Sequence, residues 1–367
     1  MAARSLLAAL KSGPLTTAEL QAVCNGGGPY VANLLEALEQ AGLVGRRDCE
    51  SHQEMFELIA RPATVLGVDL GGTKVHVALS DLSGAILAEA IEPTDPRGGV
   101  HVVDQIGRMT DRLMIKNDIR ANAPTAFVIG SPGALDPASG TVSISPNIPG
   151  LEDFDIVQKL RARIGCPVRV ENDVNLAAMG EQWHGSCAGT RDFAFVALGT
   201  GIGMGLVMDG RLVHGARGAA GEIAFLPIGA DPFDPASYPL GPLETAIGSA
   251  GILRAYRGRG GDAKSVREIF DRSTAGEPAA QETLDDVARI LAQALLAVRA
   301  LVDPEVIVLG GSIGSRVELV QRVRDIAAAL PMELAVRASS LGNRAVLVGA
   351  NSLALADAHE RLLGRAI

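Results

Sequence analysis

Up to about residue 62, apolar residues recur at helical spacing. Two groups of apolar residues define helix faces, namely Leu6, Leu7 and Leu10, and then Val31, Leu34, Leu35 and Leu38. Between them, "TTAEL" has the form of a capping box, with Thr16 three residues before Glu19. The pattern predicts three short helices in this segment.

The third predicted helix ends at the glycine of "AGLV" (41–44), where a short apolar strand begins, and "GRR" follows. Three helices and a small strand are typical of a winged helix-turn-helix, although a trihelical cap or a dimerisation element has the same pattern. Residues 1–62 hold five Lys and Arg against seven Asp and Glu, and the predicted recognition helix from Pro29 to Ala41 has no basic residue. Only Arg46 and Arg47 in the wing are placed to contact DNA phosphates.

From Val65 onward, short β-branched runs alternate with helical stretches. "VLGVDLGGTKVHVALSDLSGAILAEA" predicts three strands joined by a glycine turn and a second turn, followed by a helix over about 100–119 and a strand in "TAFVIGSPG". "ALGTGIGMGLVMDGRLVHG" repeats this order, and the interval from Gly71 to Asp81 equals that from Gly199 to Asp209, ten residues in each case. The repeat predicts two similar α/β lobes with a ligand-binding cleft between them.

Composition adds limits on partners and location. The 367 residues are 20% charged and 47% hydrophobic with a net charge of -9, so no overall basic field attracts nucleic acid or an anionic membrane. The four cysteines form no C-x-x-C pair, and the apolar stretch 193–208 is too short and glycine-rich to span a bilayer. With no visible signal peptide, we expect a cytoplasmic location and no membrane partner.

Three glycine runs could bind a nucleotide. "DLGGTK" (69–74) and "GTGIG" (199–203) place glycines in hairpin turns, where backbone N–H groups can approach a phosphate, and "VIVLGGSIGS" (306–315) ends a strand in a third glycine loop. A glycine hairpin can also be only a turn. The predicted nucleotide-binding residues are Asp69, Gly71, Gly72, Thr73, Lys74, Gly199, Thr200, Gly201, Gly203, Gly310 and Gly311. We expect ATP, with Mg²⁺ held by Asp69 directly or through water.

A second candidate group lies in "VRVENDVNLAAMGE" (168–181), where a strand ends at Glu171 and a helix begins near Val174. Asp173 is either the helix N-cap or a general base toward an alcohol, and the pattern leaves both interpretations open. Asn172 at the end of the strand suits recognition of hydroxyl groups. Asn147, in the proline-fixed loop "SPNIPG", either adds an amide to such a site or belongs only to a turn.

"GEIAF" (221–225) places Glu222 in an apolar run, where burying a carboxylate costs free energy unless a partner binds it. Glu222 therefore either forms an ion pair with a neighbour such as Arg217 or holds a ligand.

Together these motifs resemble the ROK family of sugar kinases and sugar-responsive repressors. The resemblance is carried, in the family's order, by "DLGGTK", "GSPGALDP", "SPNIPG", "ENDVNLAA", "GTGIGMG", "GARGAAGEI" and "VIVLGGSI". It implies an α/β, actin-like ATPase (ribonuclease H-like) fold of two lobes, with Asp173 as the base that accepts a sugar hydroxyl proton. The sugar-binding positions that it implies are Gly133, Asn147, Asn172, Glu222 and Glu244.

The chain departs from the family at one site. Where most members have a histidine that contacts the sugar and ligates zinc, this chain has Phe225, and the loop that follows lacks the family's cysteines. We therefore expect no zinc. We expect five prolines to stiffen this loop instead, because proline has a fixed φ angle, namely Pro227, Pro232, Pro235, Pro239 and Pro242.

The resemblance sets the expected organisation and function. We predict a small all-α winged helix-turn-helix domain over 1–62 and two ROK kinase-like lobes over 63–175 and 176–367. The leading hypothesis is a transcriptional regulator whose kinase-like domain binds a sugar and ATP and controls binding to operator DNA, as a homodimer or tetramer. The alternatives are an ATP-dependent sugar kinase with a vestigial N-terminal domain and a sugar sensor with neither activity.

Overall fold

The structure, a computed structural model, forms two compact units. It describes residues 2–10, 12–24, 27–40, 42–48, 54–59, 63–117, 119, 124–135, 142–143, 148–151, 155–330 and 332–363. The first unit comprises Met1–Asn172 and Ala350–Ile367, and the second comprises Asp173–Gly349. This division differs from the predicted lobe boundaries in two ways, because it falls between residues 172 and 173 and returns the end of the chain to the first unit.

The N-terminal segment combines three helices with a small sheet. Its elements are α1 (Ala2–Leu10), β1 (Leu15–Thr16), α2 (Thr17–Cys24), α3 (Gly28–Gln40), β2 (Val44–Asp48) and β3 (Glu54–Leu58). All seven apolar residues of the two predicted helix faces are buried. The capping box is confirmed, because the N–H of Thr16 donates to Glu19 Oε2 (2.8 Å) and Thr16 Oγ1 accepts the N–H of Glu19 (3.4 Å).

The sheet of this segment corrects the prediction of an all-α domain. Its strand order is β1-β3-β2, and both pairs are antiparallel. The sequence indicated only the strand after the third helix. The sequences "VGRRD" and "EMFEL" are rich in charged residues, so they show little alternation of apolar and polar positions. The strands form through backbone pairing between β2 and β3, which the side-chain pattern does not reveal.

The first unit continues with a five-stranded sheet. The elements are β4 (Thr64–Leu70), β5 (Lys74–Asp81), β6 (Ile86–Pro93), α4 (Gly99–Lys116), β7 (Ala126–Ser131), β8 (Ala134–Leu135), β9 (Val142–Ser143), α5 (Ile156–Ile164) and β10 (Val168–Asn172). The strand order is β10-β7-β4-β5-β6, and β8 pairs separately with β9. The pairs β10–β7 and β4–β7 are parallel, whereas β4–β5 and β5–β6 are antiparallel.

The second unit contains a sheet of the same size. The remaining elements are α6 (Asp173–His184), β11 (Phe193–Leu198), β12 (Ile202–Met208), β13 (Arg211–Leu212), α7 (Pro242–Ile247), α8 (Ser249–Gly258), α9 (Val266–Thr274), α10 (Pro278–Val302), β14 (Val306–Gly310), α11 (Gly311–Gly314), α12 (Val317–Ala327), β15 (Val336–Ala338) and α13 (Ala345–Leu363). Three 3₁₀ turns cover Ile223–Phe225, Pro235–Ser237 and Gly342–Arg344. Across the ranges described, no helix is both long and apolar enough to cross a membrane.

The predicted internal repeat is confirmed by the two sheets. The order β15-β14-β11-β12-β13 matches β10-β7-β4-β5-β6 strand for strand. The senses also match, since β11–β12 and β12–β13 are antiparallel and β11–β14 and β14–β15 are parallel. Each glycine turn therefore occupies the same place in its unit, between the central strand and the antiparallel strand beside it.

Helices cover both faces of each sheet, so the central strands are apolar on both sides. In the second unit, Ala194, Val196 and Leu198 of β11 join one buried cluster, whereas Phe193 and Phe195 join another that includes residues of α6. In the first unit, Leu66 and Val68 pack in a cluster with residues of α4 and α5.

The opposite face of the first sheet lies against the end of the chain. A Cβ at Gly67 would come within 2.8 Å of the backbone nitrogen of Asn351 in α13, and Ser80 Oγ donates to Asn351 Oδ1 (2.9 Å). This packing gives a physical reason for residues 350 onward to belong to the first unit.

Two glycines allow α6 and the start of α13 to approach closely. A Cβ at Gly349 would overlap the backbone oxygen of Leu176, and a Cβ at Gly180 would overlap that of Ala345. We expect Gly349→Ala to lower the free energy of unfolding by about 1–3 kcal/mol, the usual cost of overpacking, because backbone atoms cannot rotate away. Chemical denaturation followed by circular dichroism measures this change.

Gly258→Ala in α8 is the matched control, because no atom lies within 4 Å of its added Cβ. Alanine is favoured over glycine in helices by roughly 0.5–1 kcal/mol, so the control is expected to be neutral or stabilising. Equal changes in the free energy of unfolding for the two substitutions would show that α6 and α13 can move apart without losing stability.

Candidate functional site

Asp69 and Lys74 lie at the base of the first glycine turn. Asp69 is on β4 and only 8% exposed, and Lys74 begins β5, with 3.8 Å between Lys74 Nζ and Asp69 Oδ2. Burial raises the pKa of Asp69, and the charges of Lys74 and His76 oppose that shift. The carboxyl group is thus largely withdrawn from solvent and has a cation beside it.

The turn itself is closed by its backbone and braced by the neighbouring strand. The N–H of Gly71 donates to the carbonyl of Lys74 (2.9 Å), and Thr94 Oγ1 donates to the carbonyl of Gly71 (2.6 Å). Gly72 and Thr73 are exposed at the tip. An exposed glycine turn of this kind leaves space for a phosphate to approach the backbone.

The second glycine turn joins β11 to β12. The N–H of Gly199 donates to the carbonyl of Gly201 (2.9 Å), and Thr200 is exposed at the tip. A Cβ at Gly203 would lie 3.1 Å from a methyl group of Val174, so packing against α6 is a sufficient reason for glycine there.

The third glycine run lies next to the second turn. Gly311 has φ +79°, and a Cβ on it would overlap the carbonyl oxygen of Leu198, while a Cβ on Gly310 would overlap the ring of Phe195. The structure corrects one detail, because the run continues as the helical turn α11 rather than as a loop. Gly311, the first residue of this four-residue helix, has a left-handed φ that glycine adopts readily because it has no Cβ.

Within the first unit, the structure brings together two of the predicted sugar-binding residues. Asn172, the last residue of β10, donates its Nδ2 to the carbonyl of Gly133 (3.2 Å), and Gly133 has φ +100°. Asn147, the third predicted residue of this part of the chain, lies outside the described residues.

Asp173 is the first residue of α6 and is half-buried. Its Oδ1 accepts the N–H of Val174 (2.8 Å). The positive end of the helix dipole favours a negative charge at this position. The bond from Val174 agrees with a role at the helix terminus, and a carboxylate at this position is also of the right chemical type to act as a base.

Glu222 and Glu244 are neighbours in the second unit. Glu222 is exposed and precedes the 3₁₀ turn Ile223–Phe225, in which Phe225 is 56% exposed. No ion pair joins Glu222 to Arg217, and both residues lie within a described range. The exposure of Glu222 removes the burial cost that motivated the ion-pair interpretation.

Glu244, in α7, is half-buried, and its Oε2 accepts the N–H of Ile202 at the end of the second glycine turn (2.9 Å). Burial raises the pKa of Glu244, the hydrogen bond from Ile202 lowers it, and the negative charge of Glu222 raises it further. The two predicted sugar-binding carboxylates therefore interact electrostatically.

Two serines beside the second turn were not predicted from the motifs. Ser249 Oγ donates to the carbonyl of Gly199 (2.8 Å), and a Cβ on Gly199 would lie 3.2 Å from Ser312 Oγ. A serine at the first position of α8 is a helix-start signal that could have singled out Ser249. Nothing in the motif around Ser312 indicates that it lies beside a turn more than a hundred residues earlier in the chain.

Within the described residues, a bound metal would depend on isolated carboxylates such as Asp69. Over the described ranges, no group of three or more His, Cys, Asp and Glu side chains could hold a metal ion. Mg²⁺ bound with a nucleotide needs only one or two protein carboxylates, because substrate phosphates and water supply the other oxygens. Asp69, at the base of a glycine turn, fits this requirement.

Comparison with known proteins identifies the family. The sequence profile described as "ROK family" matches residues 65–357. The chain belongs to the ROK family. It is 30% identical to the glucokinase of Halalkalibacterium halodurans over 266 residues, which are 68% of this chain and 80% of that enzyme.

Solved ROK structures include both enzymes and a regulator. The ROK glucokinase of Streptomyces griseus, in complex with glucose and AMPPNP, is 28% identical with a TM-score of 0.64 and covers 79% of this chain and 99% of its own. A ROK transcriptional regulator described as a homologue of the Escherichia coli MLC protein has a TM-score of 0.76 and covers 98% of this chain and 96% of its own. Its sequence identity is 20%, so this second similarity concerns the fold alone.

Proposed function

We propose that this ROK protein is a transcriptional regulator. Its ROK domain binds a sugar and ATP, and its first 59 residues form a winged helix-turn-helix that binds operator DNA. The observation that carries the proposal is the element order α1-β1-α2-α3-β2-β3 with sheet order β1-β3-β2, ahead of the ROK domain. In a winged helix-turn-helix, α3 would be the recognition helix and the β2–β3 hairpin the wing.

The surface of α3 has the size and chemistry needed to contact base edges. Its buried side supports the helix, and its exposed residues are Pro29, Tyr30, Ala32, Asn33, Glu36 and Gln40. Asparagine and glutamine amides can form two hydrogen bonds to adenine in the major groove. The surface therefore supports sequence readout, whereas its lack of positive charge predicts weak non-specific binding.

The two wing arginines already have partners in the protein. Arg46 binds Glu39 (2.7 Å) and Glu54 (2.7 Å), and Arg47 binds Glu57 (3.2 Å). Arg46 and Arg47 are more than half exposed in these pairs, and exposed ion pairs contribute only about 0–1 kcal/mol. A DNA phosphate can therefore replace a glutamate at small cost, and two phosphate contacts per chain predict only a shallow fall of affinity with salt.

Fluorescence anisotropy with DNA from the protein's own promoter region, at low salt, tests this function. We expect binding whose affinity changes when sugars are added. Arg46→Ala should weaken it and reduce the slope of log affinity against log salt concentration by about one, as expected for one lost phosphate contact. The absence of DNA binding both with and without sugars would contradict the proposal.

Arg97→Ala is the control for this measurement. Arg97 is exposed and paired with Asp95 (2.7 Å), as Arg46 is paired with glutamates, but it lies in the ROK domain. Removing the same charge there should leave the affinity and its salt slope unchanged. An equal loss in both variants would show that only net charge matters.

The ATP-dependent sugar kinase is the second candidate, and a specific set of residues favours it. The chain retains Asp69 and Lys74 at the first turn, the second glycine turn and Asp173 at the start of α6. ATP with Mg²⁺ would supply the phosphoryl group. Asp173 would take the proton of the sugar hydroxyl, and Asp69 would hold the metal.

An ADP-release assay over a panel of hexoses and amino sugars tests this activity. Turnover above background with any of them would establish a kinase, and background rates with all of them would contradict it. Sugar binding without turnover and without DNA binding would leave the third function, a sugar sensor.

A further inference from the structure

The second glycine turn is held by residues from outside its own hairpin. Glu244 Oε2 accepts the N–H of Ile202 (2.9 Å), although the two residues are 42 positions apart. A Cβ on Gly201 would overlap the same carboxylate oxygen, so the carboxylate lies directly against the turn. The turn and α7 are therefore in contact through one side chain.

The junction of α7 and α8 holds the other side of the turn. Ser249 donates its Oγ to the carbonyl of Gly199 (2.8 Å), and its N–H donates to the carbonyls of Gly199 (3.2 Å) and Thr200 (3.1 Å). The N–H of Gly248 donates to the carbonyl of Glu244 (2.7 Å), which fixes Glu244 relative to Ser249. These bonds fix the glycine turn relative to the junction of α7 and α8.

Glu244 also interacts with Glu222, the other predicted sugar-binding carboxylate of the second unit. A carboxylate has about four lone-pair positions, so the bond from Ile202 leaves Glu244 able to accept a sugar hydroxyl. A carboxylate that accepts both the N–H of Ile202 and a sugar hydroxyl would hold the turn and the sugar in fixed positions relative to each other. The same side chain can therefore link two ligands.

We infer that Glu244 is a positioning residue for the nucleotide and that it couples the sugar subsite to the nucleotide subsite. The inference rests on the proposed function, in which the ROK domain binds both ligands. Its structural basis is the bond that Glu244 accepts from Ile202, at the end of the turn that would receive the nucleotide phosphates. Binding of either ligand then orders the carboxylate that the other ligand needs, which gives positive coupling.

Isothermal titration calorimetry with ADP and Mg²⁺, without sugar, tests the link. We expect Glu244→Ala to weaken ADP binding about tenfold, because the charge-assisted bond that fixes the turn is lost. Glu333→Ala is the control, since it removes an exposed carboxylate of the second unit in the segment before β15, and it should change ADP affinity less than about twofold. Equal ADP affinities of Glu244→Ala and the wild type would overturn the inference.

Two further variants keep the test decisive if Glu244→Ala does not fold. Glu244→Gln retains an oxygen that accepts the N–H of Ile202, so it should bind ADP within about threefold of the wild type. Ser249→Ala should weaken ADP binding about threefold while leaving the affinity for D-glucose, used as the sugar probe, unchanged. Wild-type ADP affinity in Ser249→Ala would show that this junction does not position the turn.

The wild type separates failure of the inference from failure of the proposed function. A wild type that binds neither ADP nor D-glucose contradicts the proposed ligand binding of the ROK domain. A wild type that binds both ligands, with an ADP affinity equal to that of Glu244→Ala, contradicts the positioning and coupling roles of Glu244 and leaves the proposed function standing.

Discussion

Replacing Asp173 with asparagine is expected to lower the rate of sugar-dependent ADP release by about 10²- to 10⁴-fold, the usual contribution of a general base. Asp173 Oδ1 accepts the N–H of Val174 (2.8 Å) at the start of α6, which holds the carboxylate in place. The amide oxygen of asparagine can accept the same N–H, but the amide cannot take a proton from a sugar hydroxyl. We therefore expect kcat to fall and the dissociation constant of the sugar to remain the same, as measured by coupled assay and calorimetry.

Asp209→Asn is the control for this variant. Asp209 follows β12, pairs with Arg191 and has φ +51°, a conformation that asparagine also adopts readily. The same chemical change there should leave turnover unaffected. Wild-type turnover in Asp173→Asn would assign Asp173 to the helix terminus alone, and absence of turnover in the wild type would favour the regulator without kinase activity.

The repeated α/β organisation was predictable because it depends on local signals. A glycine turn between two apolar runs predicts a hairpin, and equal spacing in two places predicts two equivalent hairpins. Gly71 and Gly199 lie in the turns that precede the equivalent strands β5 and β12, and Asp81 and Asp209 lie at the end of β5 and directly after β12. The strand orders themselves depend on parallel pairing between distant segments, and no local pattern encodes them.

Two features of the fold were predicted incompletely for related reasons. The N-terminal sheet depends on strands with many charged residues, where hydrophobic alternation is weak. The return of the last helix to the first unit depends on Asn351, whose bond from Ser80 spans 271 positions. Asn351 packs against Gly67, where the absence of a side chain leaves space for it. Nothing in the sequence around either residue indicates this contact.

The candidate site shows the same limit at the level of single residues. The resemblance predicted that Glu222 and Glu244 belong to one sugar site, which stays a prediction, and the charge of Glu222 does act on the carboxyl group of Glu244. The bond from Ile202 to Glu244 was not predictable, because it joins a turn to a helix that follows a long proline-containing loop. Phe225 was identified as the departure from the family, and its exposure makes it available to a ligand.

A second large effect is expected at the other end of α6, where Glu181 is fully buried. Its carboxyl oxygens accept the N–H groups of Ser186 (2.6 Å) and Leu341 (3.1 Å) and the hydroxyl groups of Ser339 and Ser340. Glu181→Ala leaves these donors without that partner, each at a cost of about 1–3 kcal/mol when buried, so we expect a loss of about 3–5 kcal/mol in the free energy of unfolding. Urea denaturation followed by circular dichroism measures it.

Ser340→Ala calibrates this loss, because it removes a single hydroxyl bond to Glu181 (3.3 Å) and should cost about 1 kcal/mol. A Glu181→Ala loss no larger than that of Ser340→Ala would show that the segment after β15 rearranges to satisfy its donors. Asp173→Asn should cost about 0.3–1 kcal/mol in the free energy of unfolding, because the charge at the start of α6 is lost while the amide oxygen keeps the bond from Val174. The two carboxyl groups of α6 are then distinguished by measurement: Asp173 affects mainly turnover, and Glu181 affects stability, because donors from distant parts of the second unit enclose it.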